Sequence, residues 1–287
     1  MRPLPIKRGG MPESDRWMTL HGIFDKVALK SVIKHAFITA SGLLVAEQRI
    51  TQHDINRPNG PLNCSGIPFR RAVGKFCIER CGVMGQRETN RDSYNQIVAE
   101  WSAFRNRCPV NSCVREFCER LPIKSRVLDV GCGTGDPIDV YLNDNGFSVV
   151  GIDISESMIH EARKLHLSHA AFEVAEFLEF HSAEKFDAII AFDSIWHIEE
   201  ARQEQIYGKA SSLLNNNGYF LFTHGKKRGT IRGNMYAHEF VYSSLDQDEV
   251  KRLLLENGFR IIMWAEDYQE KTTGSRDLLV VAQKRTW

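Results

Sequence analysis

The chain has 287 residues, 43% of them hydrophobic, with 37 Lys/Arg against 36 Asp/Glu and a formal charge of +1. That apolar content suffices for a buried core and excludes a globally disordered chain. The near-zero total hides an asymmetry: residues 1–83 hold 13 Lys/Arg against 6 Asp/Glu, the remainder 24 against 30, so the two parts differ in character.

Seven cysteines, an odd number spread over a medium-sized chain, do not form a small disulfide scaffold; reduced thiols in a cytoplasmic setting are the default. Cys77 and Cys81 lack a second ligand pair, so no metal site is expected. The longest weakly polar run, 36–46, is far short of the ~20 residues of a membrane helix.

Residues 1–83 scatter Gly and Pro around one candidate helix, Trp17 to Gln48, without alternation of strand and helix. They read as a basic extension, poorly ordered or partly helical. At Met84 the texture changes: Met84-Gly85-Gln86-Arg87-Glu88 resembles the polar start of a protein, and 84–287 reads as the folded domain. An amphipathic helix is predicted over Asp92–Phe104. Strands are predicted at Arg126–Val130, Ser148–Asp153, Ala171–Val174, Phe186–Phe192, Gly218–Thr223, Phe259–Ala265 and Leu278–Gln283. Helices fit between them at Pro137–Asn145, Ser155–Leu165, Glu199–Leu214 and Asp246–Asn257, with Gly146, Gly218 and Gly258 placed as C-terminal caps. Such alternation predicts an α/β fold, a mostly parallel seven-stranded sheet with helices on both faces.

The strongest chemical signal is Val127-Leu128-Asp129-Val130-Gly131-Cys132-Gly133-Thr134-Gly135, a buried strand running into a glycine-rich turn where backbone can approach a ligand closely. A dinucleotide fingerprint would need Gly at 136, where the chain has Asp136. A pyrophosphate there would face carboxylates, whereas a sulfonium with an ammonium suits them. One strand on, Asp153 ends Val149-Val150-Gly151-Ile152-Asp153, where an acid can accept both hydroxyls of a ribose or simply cap the next helix.

Together these segments resemble the class I S-adenosylmethionine (SAM)-dependent methyltransferases, whose D-x-G-x-G-x-G loop is matched by Asp129, Gly131, Gly133 and Gly135, with Cys132 inside it. The resemblance implies a Rossmann-like domain, SAM as cofactor, a loop around its methionine part and a ribose held by Asp153. Ile154 and Met158 resemble the apolar residues beside the adenine, although Met158 also suits ordinary helix core. Ala175, Glu176 and Phe177 stand where the family has an acid flanked by pocket wall, with Glu in place of Asp.

After the fourth strand, Phe192 and Trp196-His197 resemble the segment beside the transferred methyl. His197 is a candidate general base or a histidine that orients the loop. Tyr94 and Trp101, seven apart on one helix face, resemble a helix that lids SAM; plain packing explains the spacing too.

The implied reaction is methyl transfer to a small-molecule acceptor. Residues 224–242, with His224, Tyr236, Tyr242 and four basic residues, lie where related enzymes build substrate pockets, together with Trp196; a solvated basic loop is the plainer reading. Amine-directed nucleic-acid enzymes resemble one another in a paired-proline segment that Asp193-Ser194-Ile195-Trp196 lacks, so a nucleic-acid substrate is disfavoured. A SAM-binding module without catalysis is the alternative. A protein beginning at Met84 should fold, bind SAM and melt within a few degrees of the full chain; loss of solubility or SAM affinity would place part of residues 1–83 in the functional unit.

Overall fold

The computed structural model describes residues 85–270 and 273–286; the readings of residues 1–83, the helix around Trp17–Gln48 included, lie outside them. In chain order the elements are α1 (Gln86–Arg105), α2 (Ser112–Cys118), β1 (Arg126–Val130), α3 (Ile138–Asp144), β2 (Ser148–Asp153), α4 (Glu156–Arg163), β3 (Ala170–Val174), β4 (Phe186–Ala191), α5 (Gln205–Leu213), β5 (Leu214–His224), β6 (Gly229–Met235), β7 (His238–Ser244), α6 (Gln247–Glu256), β8 (Phe259–Glu270) and β9 (Gly274–Lys284). Among the described residues no helix is long and apolar enough to cross a membrane.

Seven strands form one sheet in the order β3-β2-β1-β4-β5-β9-β8. Only β9 runs antiparallel to its neighbours, so the fold is the expected Rossmann-like one. The central strands are continuous apolar runs because both faces are covered. Along them alternate residues divide between two cores. Leu128, Ile189, Phe220, Phe222 and Val280 pack with Ile206, Tyr207 and Ala210 of α5 and Val250 and Leu254 of α6. Val127, Ala188, Ile190, Leu221 and Val281 pack with Val114 and Phe117 of α2 and Ile138 and Leu142 of α3.

Local chemistry starts the helices. Ser155 accepts the Met158 N–H at 3.1 Å and caps α4, and Glu249 accepts the N–H of Asp246 at 3.1 Å ahead of α6. Gly146 and Gly258 take positive φ after α3 and α6. Gly218 does not cap a helix: it lies inside β5, where Asn217 takes the positive φ of 62° and the register against β4 shifts between Phe186 and Ala188. A Cβ at Gly218 would stand 3.1 Å from the Asp187 carbonyl oxygen, so close strand approach explains this glycine.

Two further features depart from the sequence reading. Residues 224–242, read as a loop, contain most of the antiparallel hairpin β6–β7 of residues 229–244, whose turn uses Tyr236 and Ala237 at φ 50° and 64°. Such turns usually carry Asn or Gly, so no turn signal was present. Helix α1 begins at Gln86, six residues before Asp92, because its buried face there is polar.

A two-stranded hairpin is marginal alone, and α1 completes this one. Asn90 donates to the Val241 carbonyl and accepts its N–H, both at 2.8 Å. Ser93 donates to the Glu239 carbonyl at 2.6 Å, and Gln86 accepts the Ser243 hydroxyl at 2.9 Å. Residues 86, 90 and 93 share one face of the helix, and they occupy the edge of β7 that β6 leaves open. Replacing Asn90 by Leu should destabilise the protein by about 1–3 kcal/mol, since it orphans the buried Val241 N–H, while the Val241 carbonyl keeps His197 Nδ1 at 3.1 Å. A urea melt measures this, and a change under about 0.5 kcal/mol would show that α1 is held elsewhere.

Candidate functional site at the carboxyl ends of the strands

The strand order reverses between β1 and β4, and in open α/β sheets that switch point leaves a crevice at the carboxyl ends. Here it is a cavity of about 310 Å³ roofed by α1. Of the residues expected from sequence, Tyr94, Trp101, Asp129, Gly131, Cys132, Gly133, Asp153, Ile154, Met158, Ala175, Glu176, Phe177, Phe192 and His197 line it.

The glycine-rich turn hangs from β2 through the N–H groups of Gly131 and Cys132, which donate to the Ile152 carbonyl at 2.8 and 3.0 Å. Gly131 sits at φ 74°, and a Cβ there would stand 2.4 Å from that of Ser194. Gly133, at φ 57°, would place a Cβ 3.3 Å from the Trp101 indole nitrogen. A side chain at either position is strained by the positive φ, and at Gly131 it also collides. Gly135 does not line the cavity; it packs on Leu165 and Phe172, so its role is close approach of the turn to α4 and β3.

Asp153 accepts the Gly133 N–H at 3.0 Å and the Ser155 N–H at 2.9 Å, one on each oxygen. It therefore fixes the turn against β2 and keeps spare acceptor capacity toward the cavity. Burial pushes its pKa up to about 6, against the lowering of those two N–H groups. Asp136, also in the wall, is raised by burial and lowered by Arg105. Arg105 itself is buried, its guanidinium 6.0 Å from the Trp101 ring centre.

Glu176, expected beside an adenine, is committed to cations: it pairs with Arg202 at 2.5 Å and Arg87 at 3.1 Å. Neither arginine was legible as a site residue, because their partner lies some 26 and 89 positions away in sequence and no local pattern links them.

At the other end His197 Nε2 lies 2.9 Å from the Tyr94 hydroxyl, while its Nδ1 lies 3.1 Å from both the Asn90 amide nitrogen and the Val241 carbonyl. Burial drives the imidazole down to about 4, so it is neutral near pH 7. Burial raises the Tyr94 phenol well above its ordinary value, helped by Tyr242, Asp153 and Asp193.

Four residues expected near a substrate do not line the cavity. Tyr242 stacks behind His197 with ring centres 4.9 Å apart, and Trp196 lies 6.4 Å from Tyr242. Tyr236 belongs to the hairpin turn and packs in the α1–hairpin cluster. His224 is fully buried, 3.1 Å from the Gln203 side-chain oxygen and driven down to about 4 by burial. Gln203 in turn donates to the carbonyls of Ile195, Ile198 and Ser243, so His224 and Gln203 brace the turn carrying His197. Three of the four basic residues expected around a substrate are in ion pairs: Lys226 with Asp267, Arg228 with Glu200 and Glu249, and Arg232 with Glu239.

Sequence reading also missed Asp193 and Arg276. Asp193 lines the cavity at φ 59°, gripped by Arg276 through Nε at 2.6 Å and Nη2 at 2.5 Å. Arg276 also donates to the Thr273 carbonyl at 2.8 Å and lies 5.2 Å from the Phe192 ring centre.

Fold and cavity together define a Rossmann-like protein with an acidic cavity at its switch point. Residues 123–258 match the family described as a methyltransferase domain. The chain is 41% identical over 163 residues to phosphoethanolamine N-methyltransferase 1 of Arabidopsis thaliana, covering 53% of this chain and 32% of that one. It is 35% identical over 128 residues to a protein of Geobacillus sp. (strain WCH70) described in general terms as a methyltransferase, covering 43% and 50%. The chain thus spans half or less of the length of these relatives. Magnesium protoporphyrin IX methyltransferase from Synechocystis, crystallised with SAM, shares the fold at a TM-score of 0.54 and 20% identity, over 71% of this chain and 99% of that one. Residues 123–258 are therefore similar to a methyltransferase domain, and the fold is shared with solved SAM-dependent methyltransferases.

Exchange of Arg276 for Met should cost about 3–5 kcal/mol, because it leaves the Asp193 carboxylate and the Thr273 carbonyl without their buried partner. Chemical denaturation measures the loss; a variant as stable as the parent would show that solvent reaches Asp193 freely.

Proposed function

We propose that the chain binds SAM in this cavity and transfers its methyl group to a small-molecule acceptor, releasing S-adenosylhomocysteine. The observation that carries this reading is the convergence of the glycine-rich turn, Asp153 and the Tyr94–His197 pair on one cavity. Asp129, Asp136 and Asp153 all stand in its wall, which suits a sulfonium and an ammonium and opposes a pyrophosphate. The glycine turn leaves room for a ligand against its backbone, where Cβ atoms would intrude.

When bound, SAM supplies a methyl group already activated by its sulfonium. The chain's own residues then bind and position. Asp153 accepts ribose hydroxyls with its remaining lone pairs, and Ile154, Met158, Ala175 and Phe177 form apolar wall for the base. Glu176, held by Arg87 and Arg202, shapes that end. Phe192, Ser194 and His197 face the acceptor. Positioning can contribute on the order of 7–11 kcal/mol to such a displacement. Where the acceptor carries a proton, the neutral imidazole of His197 receives it at Nε2, directly or through the Tyr94 hydroxyl. The Arabidopsis relative's name makes a small amine the first acceptor to screen. The free thiols of Cys108, Cys113, Cys118 and Cys132 support a cytoplasmic setting.

Calorimetry with SAM, S-adenosylhomocysteine and NAD tests the cofactor, and radiolabelled SAM with a metabolite extract tests transfer. SAM should bind, and Asp153→Ala should weaken it by at least tenfold, from lost charged hydrogen bonds worth roughly 1.5–3 kcal/mol each. Binding of NAD alone would overturn the reading, and SAM binding without turnover on any extract would favour a non-catalytic module.

A further inference from the structure

Behind the donor end of the cavity, outside its lining, lies a carboxyl with no role so far. Asp139, in the first turn of α3, is 0% exposed, and neither of its side-chain oxygens has a hydrogen-bond donor among the described residues. What it faces is Asp129, at the carboxyl end of β1 and in the cavity wall. Two ionised carboxylates have no donor between them, so this contact closes only when one of them carries a proton.

The surroundings favour that proton. Asp153 on β2 adds a second negative neighbour to Asp129, and Arg105 on α1 is the cation opposing it. The Cys132 thiol, buried in the turn, is itself raised by burial and then by Asp139, Asp153 and Asp129. Burial pushes Asp129 up to about 7 and Asp139 well above its ordinary value.

We propose that Asp139 is a positioning residue of the donor site, which shares one proton with Asp129 and gives that proton up when a ligand brings cationic charge to Asp129. The O–H bond of the shared carboxyl breaks, the proton passes to the buffer, and the ligand's ammonium or sulfonium replaces it as the partner of the acid pair. The inference rests on SAM being the ligand. Its consequence is a linkage between donor affinity and pH. Wherever the folded pair retains that proton the ligand must displace it, so affinity rises with pH by up to about tenfold per unit. Without ligand the sign reverses for stability: the unfolded chain releases these protons near pH ~4 and the folded chain retains one, so the pair's contribution to stability falls as pH rises above that value.

Isothermal titration of the full chain with SAM at pH 7, in phosphate, HEPES and Tris, counts the protons released from the dependence of heat on buffer ionisation. The parent should release a larger fraction of a proton than Asp139→Asn, whose amide donates permanently to Asp129; proton exchange by the ligand itself is common to both. SAM affinity of the parent should rise at least fivefold from pH 6 to 7, and that of the variant less than twofold. Equal proton counts and equal pH slopes would overturn proton sharing while leaving SAM binding intact, whereas absence of SAM binding in the parent would overturn the donor-site reading itself. Thermal melts of the ligand-free parent decide the matter if the variant does not fold or SAM does not bind. The melting temperature should fall between pH 7 and 8.5, above the range where the buried His197 and His224 add stability with rising pH, and more steeply than in the variant where that can be measured; a flat parent profile there overturns the proposal.

Discussion

The open edge of a two-stranded hairpin is the constraint on which the site depends. Strand β7 presents Glu239, Val241 and Ser243 outward, and α1 meets them with Ser93, Asn90 and Gln86. Each hydrogen bond made contributes only about 0.5–1.5 kcal/mol, but each buried backbone group left unmade costs about 1–3 kcal/mol. The stripe therefore fixes register more than it adds stability. The same contact puts Tyr94 over the cavity, within 2.9 Å of His197, whose other nitrogen shares the Val241 carbonyl with Asn90. Roof, hairpin and candidate base are thus one unit.

Charge organises the cavity in a second way. Two sets of carboxylates in or behind its wall stand out. Glu176 and Asp193 are neutralised by arginines from other elements, Glu176 by Arg87 and Arg202 and Asp193 by Arg276. Asp129, Asp139 and Asp153 crowd the glycine turn, with Arg105 the cation that acts on Asp129. The excess acid there is costly in an empty site, since burial opposes every ionisation. A bound cation relieves that cost, which ties the electrostatics of the empty protein to the ligand proposed for it.

Where the sequence was legible, one short stretch carried its own physical reason. Continuous apolar runs marked β1 and β4 because both faces of those strands are buried, and Asp129 to Gly135 announced a turn because its glycines take positive φ. Where reading failed, the partner was distant or the pattern polar. Gly218 looked like a helix cap, yet it serves the approach of β5 to the Asp187 carbonyl. Residues 224–242 looked like a basic loop, yet from Gly229 onward they pair as strands around a turn with neither Gly nor Asn. His224 looked available to a substrate, yet it is buried against Gln203.

The sequence by itself determined the α/β alternation, the sheet strands and the glycine turn with its acid one strand later, since backbone conformation and continuous burial are specified by neighbours within a few residues. Only the tertiary structure decided that Asn90 would meet Val241, that Arg276 would hold Asp193, and that Asp139 would face Asp129. These are contacts between polar groups whose separation in sequence ranges from ten to about 150 positions. Hydrogen bonds and ion pairs of this kind depend on where the packed cores place each backbone, and no periodicity of 2 or 3.6 records that.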